Sequence, residues 1–197
     1  SIARLAQLLP LQLIHPTSEV LITGSPIQRR QFMDWGLFHV EPSFYPLWRQ
    51  LQTLLKQRNA ALKAHLPREQ IFLWNTELVE ASQRLSALRQ GYISNLQPLF
   101  EELSEFFLPH YRLTLNFEAG WDQEQGLRTV LEENYFRDLK LGYTYYGPQR
   151  DELLITKDER PVNEILSRGE QKLALIALKL AQGRQLQLSQ SKSCLYL

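Results

Sequence analysis

The spacing of apolar and polar positions changes period several times along this chain. Near the start, the short apolar runs LQLI and EVLI are broken by Pro10, Pro16, Gly24 and Pro26. This pattern predicts strands, or a strand and a turn. From Gln28 the texture becomes helical; Pro42 and Pro46 interrupt it, and Pro67 stops it after Leu66. Within that stretch Leu47, Leu51, Leu54, Arg58 and Ala61 keep a 4-3-4-3 spacing, a stripe weakened by its arginine. Beyond Pro67 the pattern is stricter. Trp74, Leu78, Ala81, Leu85, Leu88 and Tyr92 alternate by four and three, and the seam resumes at Leu99, Leu103 and Phe106, bridged by Asn95 or Leu96. A seam sustained over four to five heptads is a coiled-coil pattern, and a helix of about 40 residues reaches roughly 60 Å. With Pro67 between two such helices, the pattern predicts an antiparallel hairpin; the alternative is a helix in an ordinary bundle.

After Pro109 the period drops to two. Tyr111, Leu113, Leu115 and Phe117 alternate with Arg112, Thr114 and Asn116, which predicts a half-buried strand. Residues 124–139 read as helix, LGYTYYG and ELLIT as strands, and KDER as a turn. A last helix starts near Ser167 and is expected to end by Gly183, and CLYL reads as the beginning of a buried strand. The order predicts an α/β body, formed by residues 1–27 and 110–197, interrupted by a helical arm over 28–109.

Composition narrows the classes. With 197 residues, 44 % of them apolar and 22 % charged, the chain reads as a soluble globular protein. A net charge of +1 exerts no global pull on nucleic acid or an anionic membrane, so such a partner must meet a local patch. Cys194 is alone and forms no internal disulfide, which fits a reducing compartment. The start, SIARLAQLLP, lacks signal-peptide character, and no apolar run approaches the roughly 20 residues of a membrane span. A cytoplasmic protein without membrane contact is expected.

Charge is uneven. Between residues 28 and 68, Arg29, Arg30, Arg49, Lys56, Arg58, Lys63 and Arg68 face only Asp34 and Glu41, seven bases against two acids. Such a stripe either neutralises nucleic-acid phosphates or is a solvated helix face. Arg29, Arg30, Lys56, Arg58 and Lys63 are the candidate DNA contacts, although Arg29 and Arg30 equally suit anchoring the arm. His15, His39, His65 and His110 show no ligand spacing, so no metal site is expected. Trp35, Phe38, Trp48 and Trp74 suit packing better than base stacking, and Arg150-Asp151 suits either a local ion pair or a nucleic-acid contact. No nucleophile–base constellation marks a self-contained enzyme.

Ser167-Arg168-Gly169-Glu170 has the S-x-x-E spacing of a capping box. The same turn is also suited to an anion: a helix start carries free N–H groups and a partial positive charge, Gly169 leaves room for close approach, and Arg168 adds a full charge.

The segment LSRGEQKLALIALKLAQG resembles the signature segment of the RecF family of DNA-repair proteins, relatives of the ABC-type and SMC ATPases. LPLQLIHPTSEVLITGSPIQRRQFMDWGLFHVEP, LKQRNAALK, YYGPQRDEL and the terminal CLYL extend the resemblance over nearly the whole chain. Gln149 departs from it, since the family usually carries histidine after Gly-Pro. The resemblance implies a partial ABC-ATPase head interrupted by the long helical hairpin. It implies that Ser167, Arg168, Gly169, Glu170 and Gln171 correspond to the signature, which closes over the γ-phosphate of ATP held by a partner subunit. An intact family member would then use ATP and Mg²⁺, form an ATP-dependent homodimer, and bind double- and single-stranded DNA at gaps and junctions. With RecR, and alongside RecO, it would load the recombinase in recombinational and replication-gap repair. No glycine here is followed directly by lysine, so the phosphate loop is absent, and CLYL stops before any acidic residue. An intact member is an ATPase; this chain alone is expected to carry no catalytic residue, hold no cofactor and leave ATP unhydrolysed. The competing reading is a structural coiled-coil interaction module in which SRGE is only a helix cap.

Overall fold

In the computed structural model, residues 9–13 and 20–197 are described. The expectations for SIARLAQLLP up to Leu8, and for Ile14, His15, Pro16 and Glu19, lie outside them. The chain divides into two compact units. One comprises the N-terminal residues to Pro42, Arg89–Phe117 and Leu153–Leu197; the other comprises Ser43–Leu88 and Glu118–Glu152. The elements run β1 (Leu11–Gln12), α1 (Val20–Thr23), α2 (Pro26–Val40), α3 (Phe44–Lys63), α4 (Arg68–Phe72) and α5 (Asn75–Phe107). They continue with β2 (Thr114–Glu118), α6 (Leu127–Glu133), α7 (Tyr135–Leu141), β3 (Glu152–Lys157), β4 (Arg160–Pro161), α8 (Val162–Ile165), α9 (Arg168–Gln190) and β5 (Leu195–Tyr196). The class is mixed α/β, with one long helix, as the alternation of periods implies.

The first unit is built around α9. Ala174, Leu175, Ala177, Leu178 and Ala181 are buried along one side of it, and so are Phe32, Met33 and Leu37 of α2 and Tyr92, Leu96 and Phe100 of α5. Gln182 joins the pieces with neutral hydrogen bonds. Its amide donates to Phe32 O and to the Tyr92 hydroxyl, both at 2.9 Å, and its oxygen accepts from Gln12 Nε2 at 2.9 Å. The Tyr92 ring lies against Gly36, where any Cβ would collide with it. Strands β2, β3 and β4 form one sheet in that order, with Thr156 opposite Pro161 across the antiparallel β3–β4 pair. Strands β1 and β5 pair in parallel, Leu11 with Leu195 and Gln12 with Tyr196.

The second unit contains a buried charge. Arg58 is fully enclosed, and its Nη1 lies 2.7 Å from Asp138 Oδ2 and 2.7 Å from Thr144 Oγ1. Arg58 Nε donates to Asn75 Oδ1 at 3.1 Å. Asp138 Oδ1 accepts from Tyr145 N at 2.9 Å, and Asn59 Oδ1 accepts from Thr144 N at 2.7 Å. Gly142, in the left-handed conformation with φ 71°, closes α7 and starts the loop so held. Arg58 is therefore no flaw in an apolar stripe and no phosphate contact; it is the centre of this unit, out of reach of any nucleic acid.

Several expectations are corrected. EVLI contributes the helical turn α1, because a short apolar run carries no period that separates helix from strand. LGYTYYG is a loop after α7, since its backbone bonds go to side chains rather than to a ladder. The buried seam of α5 follows Leu78, Ala81, Leu85, Tyr92, Leu96, Phe100 and Ser104, whereas Phe106 is 79 % exposed. A straight helix turns every 3.6 residues, so its buried face drifts from a strict seven-residue repeat. Helix α9 continues through Gly183 to Gln190; the glycine makes room for the Tyr196 hydroxyl. Leu195, Tyr196 and Leu197 are exposed rather than buried. No ion pair joins Arg150 to Asp151: the aspartate is buried and accepts from Gly120 N at 2.8 Å and Ser86 Oγ at 2.7 Å.

Removing one partner of a buried ion pair leaves the other uncompensated, at a loss of about 3–5 kcal/mol. Arg58→Ala is expected to lower unfolding stability by that amount in urea denaturation. Arg58→Lys should recover little of it, because an ammonium does not reproduce the guanidinium fork. A second prediction concerns pH. His39 is buried, its ring centroid 4.5 Å from that of Trp35. Burial, and then the charge of Lys192, push its pKa from 6.5 down to about 4. Between these values the unfolded chain binds the proton and the folded chain resists it, so stability falls as pH drops from 6.5 toward about 4. Urea midpoints measured across that window should slope less steeply in His39→Gln.

Candidate functional site

The start of α9 is fixed from inside and open outside. Leu166 is buried, its N–H donates to Val162 O at 2.8 Å, and its carbonyl accepts from Gln171 Nε2 at 2.9 Å. Gln171 itself is buried, so it braces the turn instead of facing outward. Ser167 then leaves the extended backbone as N-cap. Its hydroxyl accepts from Glu170 N at 3.4 Å, and the Glu170 carboxylate accepts from Ser167 N at 2.8 Å. The capping box read from the sequence is complete.

Two first-turn donors remain. Among the described residues nothing accepts from the N–H of Arg168 or Gly169. Ser167, Arg168 and Gly169 are exposed. A 23-residue helix directs the positive end of its dipole here. A Cβ built on Gly169 meets nothing within 4 Å, whereas one on Gly36, Gly120 or Gly183 collides with its surroundings. Packing among the described residues thus accounts for those three glycines and not for Gly169, nor for Gly91 of α5, which is equally open.

The Ser167 side chain, then the Ser167 backbone and then the Tyr111 hydroxyl hold the Glu170 carboxyl below the usual range, against a smaller opposing effect of burial. The nearby Glu170 side chain in turn raises the pKa of Tyr111, and Lys157 Nζ sits 4.9 Å from the Tyr111 ring centroid. The turn therefore combines two free N–H groups and the Arg168 cation with a carboxylate already committed to the cap. Exposed helix-start donors beside an exposed guanidinium are chemistry suited to an anion.

The candidate DNA residues fall in different places. Lys56 and Lys63 are exposed on α3, and Arg49 precedes them at the same seven-residue interval, so the three line one side of the helix. Arg29 and Arg30 belong to the other unit and are half-buried on α2, with Arg29 Nη1 donating to Gly24 O at 2.8 Å. Trp35, Phe38, Trp48 and Trp74 are all half-buried, in keeping with packing. Sequence reasoning missed the bracing role of Gln149, whose Nε2 lies 3.0, 3.4 and 3.1 Å from the carbonyls of Thr144, Tyr145 and Tyr146. No group of three or more His, Cys, Asp or Glu side chains among the described residues suits a metal ion. No helix among them is long and apolar enough to cross a membrane.

No protein-family model matches the chain. The chain is 42 % identical over 196 residues to the DNA replication and repair protein RecF of Vibrio cholerae, covering 100 % of this chain and 54 % of that protein. It is 43 % identical to RecF of Vibrio vulnificus and 42 % identical to RecF of Aliivibrio fischeri, covering 55 % of each. The chain thus spans about half the length of the curated relatives it matches. Its fold matches two solved structures of the recombination mediator protein RecF in the RecFOR pathway, one with ATP and one with ATPrS. The TM-scores are 0.86 and 0.91 at 18 % identity, over 95 % and 100 % of this chain and 54 % and 56 % of those chains. Along its entire length the chain therefore corresponds in sequence to about half of a RecF protein, and it shares that part's fold.

Proposed function

We propose that this chain is part of an ATP-gated DNA clamp in replication and recombinational repair, and that Ser167–Gln171 closes on ATP held by a partner subunit. The observation that carries the reading is the unfilled space at Gly169 beside two unpaired N–H groups. The relatives bear the name DNA replication and repair protein, and the matched structures include RecF with ATP. In an intact protein the nucleotide would come with Mg²⁺, supplying the terminal phosphate charge. The N–H groups of Arg168 and Gly169 would hydrogen-bond that phosphate, and the Arg168 guanidinium would balance it. Ser167 and Glu170 would keep the donors aimed, and Gln171 would hold the turn from below.

Two subunits sharing one polyanion stay together only while its charge persists, which makes the assembly a timed clamp. The partners that follow are DNA with single- and double-stranded parts, RecR and RecO. Lys56 and Lys63, with Arg49, would track phosphates along α3; Arg29 and Arg30 would serve as further contacts or as anchors of the fold. A second reading has one observation in its favour: the capping box is complete, as a purely structural helix start requires. In that reading the chain is an interaction module and the turn binds nothing.

Substitutions in the full-length protein separate the two. Ser167→Arg should abolish ATP-dependent dimerisation in sedimentation velocity while ATP binding persists, at a capping loss of about 1 kcal/mol. Gly169→Ala should leave thermal stability unchanged or slightly higher, since alanine is the better helix former by about 1 kcal/mol, yet still weaken dimerisation. If both variants dimerise like the parent, the turn is only a cap. For DNA, Lys56→Ala with Lys63→Ala should weaken duplex binding and flatten its dependence on salt by about one unit of slope per lost phosphate contact, read by fluorescence anisotropy.

A further inference from the structure

Helix α7 and the loop that follows it present two aromatic rings, Tyr145 and Tyr146, between two arginines, Arg137 on the helix and Arg150 in the turn Pro148–Arg150. The Arg137 guanidinium carbon lies 3.5 Å from the Tyr145 ring centroid, and that of Arg150 lies 3.9 Å from the same centroid. The two cations are therefore closer together than the roughly 8 Å over which physiological salt screens charge. Both arginines are exposed, and among the described residues neither has a carboxylate within salt-bridge distance. Arg137 Nη1 also lies 3.3 Å from the Tyr146 hydroxyl, and the Tyr145 and Tyr146 rings meet edge to face at 4.9 Å.

This array is held from beneath. Asp138 accepts from Tyr145 N, Asn59 accepts from Thr144 N, and Gln149 donates to the carbonyls on the loop's inner side. Gly147, with φ 140°, lets the chain turn away, and its N–H donates to Gly120 O at 3.2 Å. A surface that needed only cation–ring contacts for stability would gain more from one arginine and a neighbouring carboxylate. Two like charges gathered about one ring instead repel each other until an anion arrives. Guanidinium planes and aromatic ring faces are also the groups on which unpaired bases stack, here the guanidinium planes layered on Tyr145 and the ring of Tyr146, and bases within a duplex offer no free face.

We infer that Arg137, Tyr145, Tyr146 and Arg150 form a contact for single-stranded nucleic acid, the arginines holding a phosphodiester and the aromatic–guanidinium array receiving an unpaired base. The inference rests on the DNA-binding reading above and adds residues other than the basic ones of α3. The site favours a flexible strand over a duplex and is indifferent to base sequence, because stacking uses the ring face that every base has.

The test uses the full-length protein with a fluorescein-labelled thymidine 20-mer and a duplex of the same length, read by anisotropy over a series of salt concentrations. Arg137→Ala with Arg150→Ala should weaken single-strand binding at least tenfold and reduce the salt slope, with a smaller effect on the duplex. Tyr145→Leu should weaken single-strand binding with little change in salt slope. Arg84→Ala with Arg128→Ala removes the same charge from other exposed positions of this unit and should change single-strand affinity less than twofold. ATP-dependent dimerisation of the Arg137/Arg150 double variant should be unaltered, which separates this site from the Ser167 turn. Equal losses in the two double variants would reduce the site to bulk charge and overturn the inference. Unchanged single-strand binding in the Arg137/Arg150 double variant, or a parent protein that binds no single strand, overturns it as well. Loss of dimerisation by Ser167→Arg alongside intact single-strand binding leaves this site standing on its own.

Discussion

Burying the Arg58 charge is the constraint from which much of the second unit follows. An ion taken out of water is unfavourable by several kcal/mol unless a partner and further hydrogen bonds compensate it. Here Asp138 supplies the opposite charge, and Asn75 and Thr144 take two of the remaining donors. Among the described residues Nη2 of Arg58 has no hydrogen-bond partner, so compensation there is extensive without being complete. The atoms that neutralise the pair also fix the loop beyond α7, through Tyr145 N on Asp138 and through Asn59 on Thr144. Ion pair and loop shape are thus one device. The first unit achieves a comparable junction without charge, through Gln182 and the Tyr92 hydroxyl, whose ionisation burial pushes upward.

Local chemistry was legible in the sequence, and long-range chemistry was not. The S-x-x-E spacing foretold the capping box because all of its atoms lie within four consecutive residues. The strict alternation from Tyr111 to Phe117 foretold β2, and ELLIT foretold β3. Arg58 was misread because its carboxylate partner is 80 positions away, and nothing in a heptad pattern reveals it. LGYTYYG imitates a strand by alternating its aromatics, but the groups that satisfy its backbone come from Asn59, Asp138 and Gln149. Leu99, Leu103 and Phe106 looked like a continued seam; the straight helix carried its buried face to Leu96, Phe100 and Ser104 instead.

The turn at Ser167 divides its hydrogen bonds by direction. Those made by Ser167, Glu170 and Gln171 run along the chain or into it and set the backbone. The N–H groups of Arg168 and Gly169 have no acceptor among the described residues. Under the proposed function, a turn arranged in this way would lose little conformational freedom on binding a small anion. The family resemblance identified these five residues together; the geometry assigns them unequal duties, with Gln171 structural and Arg168 outward.

The empty volume around Gly169 has an evolutionary corollary. Among the described residues nothing opposes a methyl group there, and helix propensity favours it. A laboratory selection scored only on heat tolerance would accumulate alanine at this position and register an improvement. Persistence of glycine would then have to be enforced by a requirement outside the isolated subunit, one that thermal screening cannot sense.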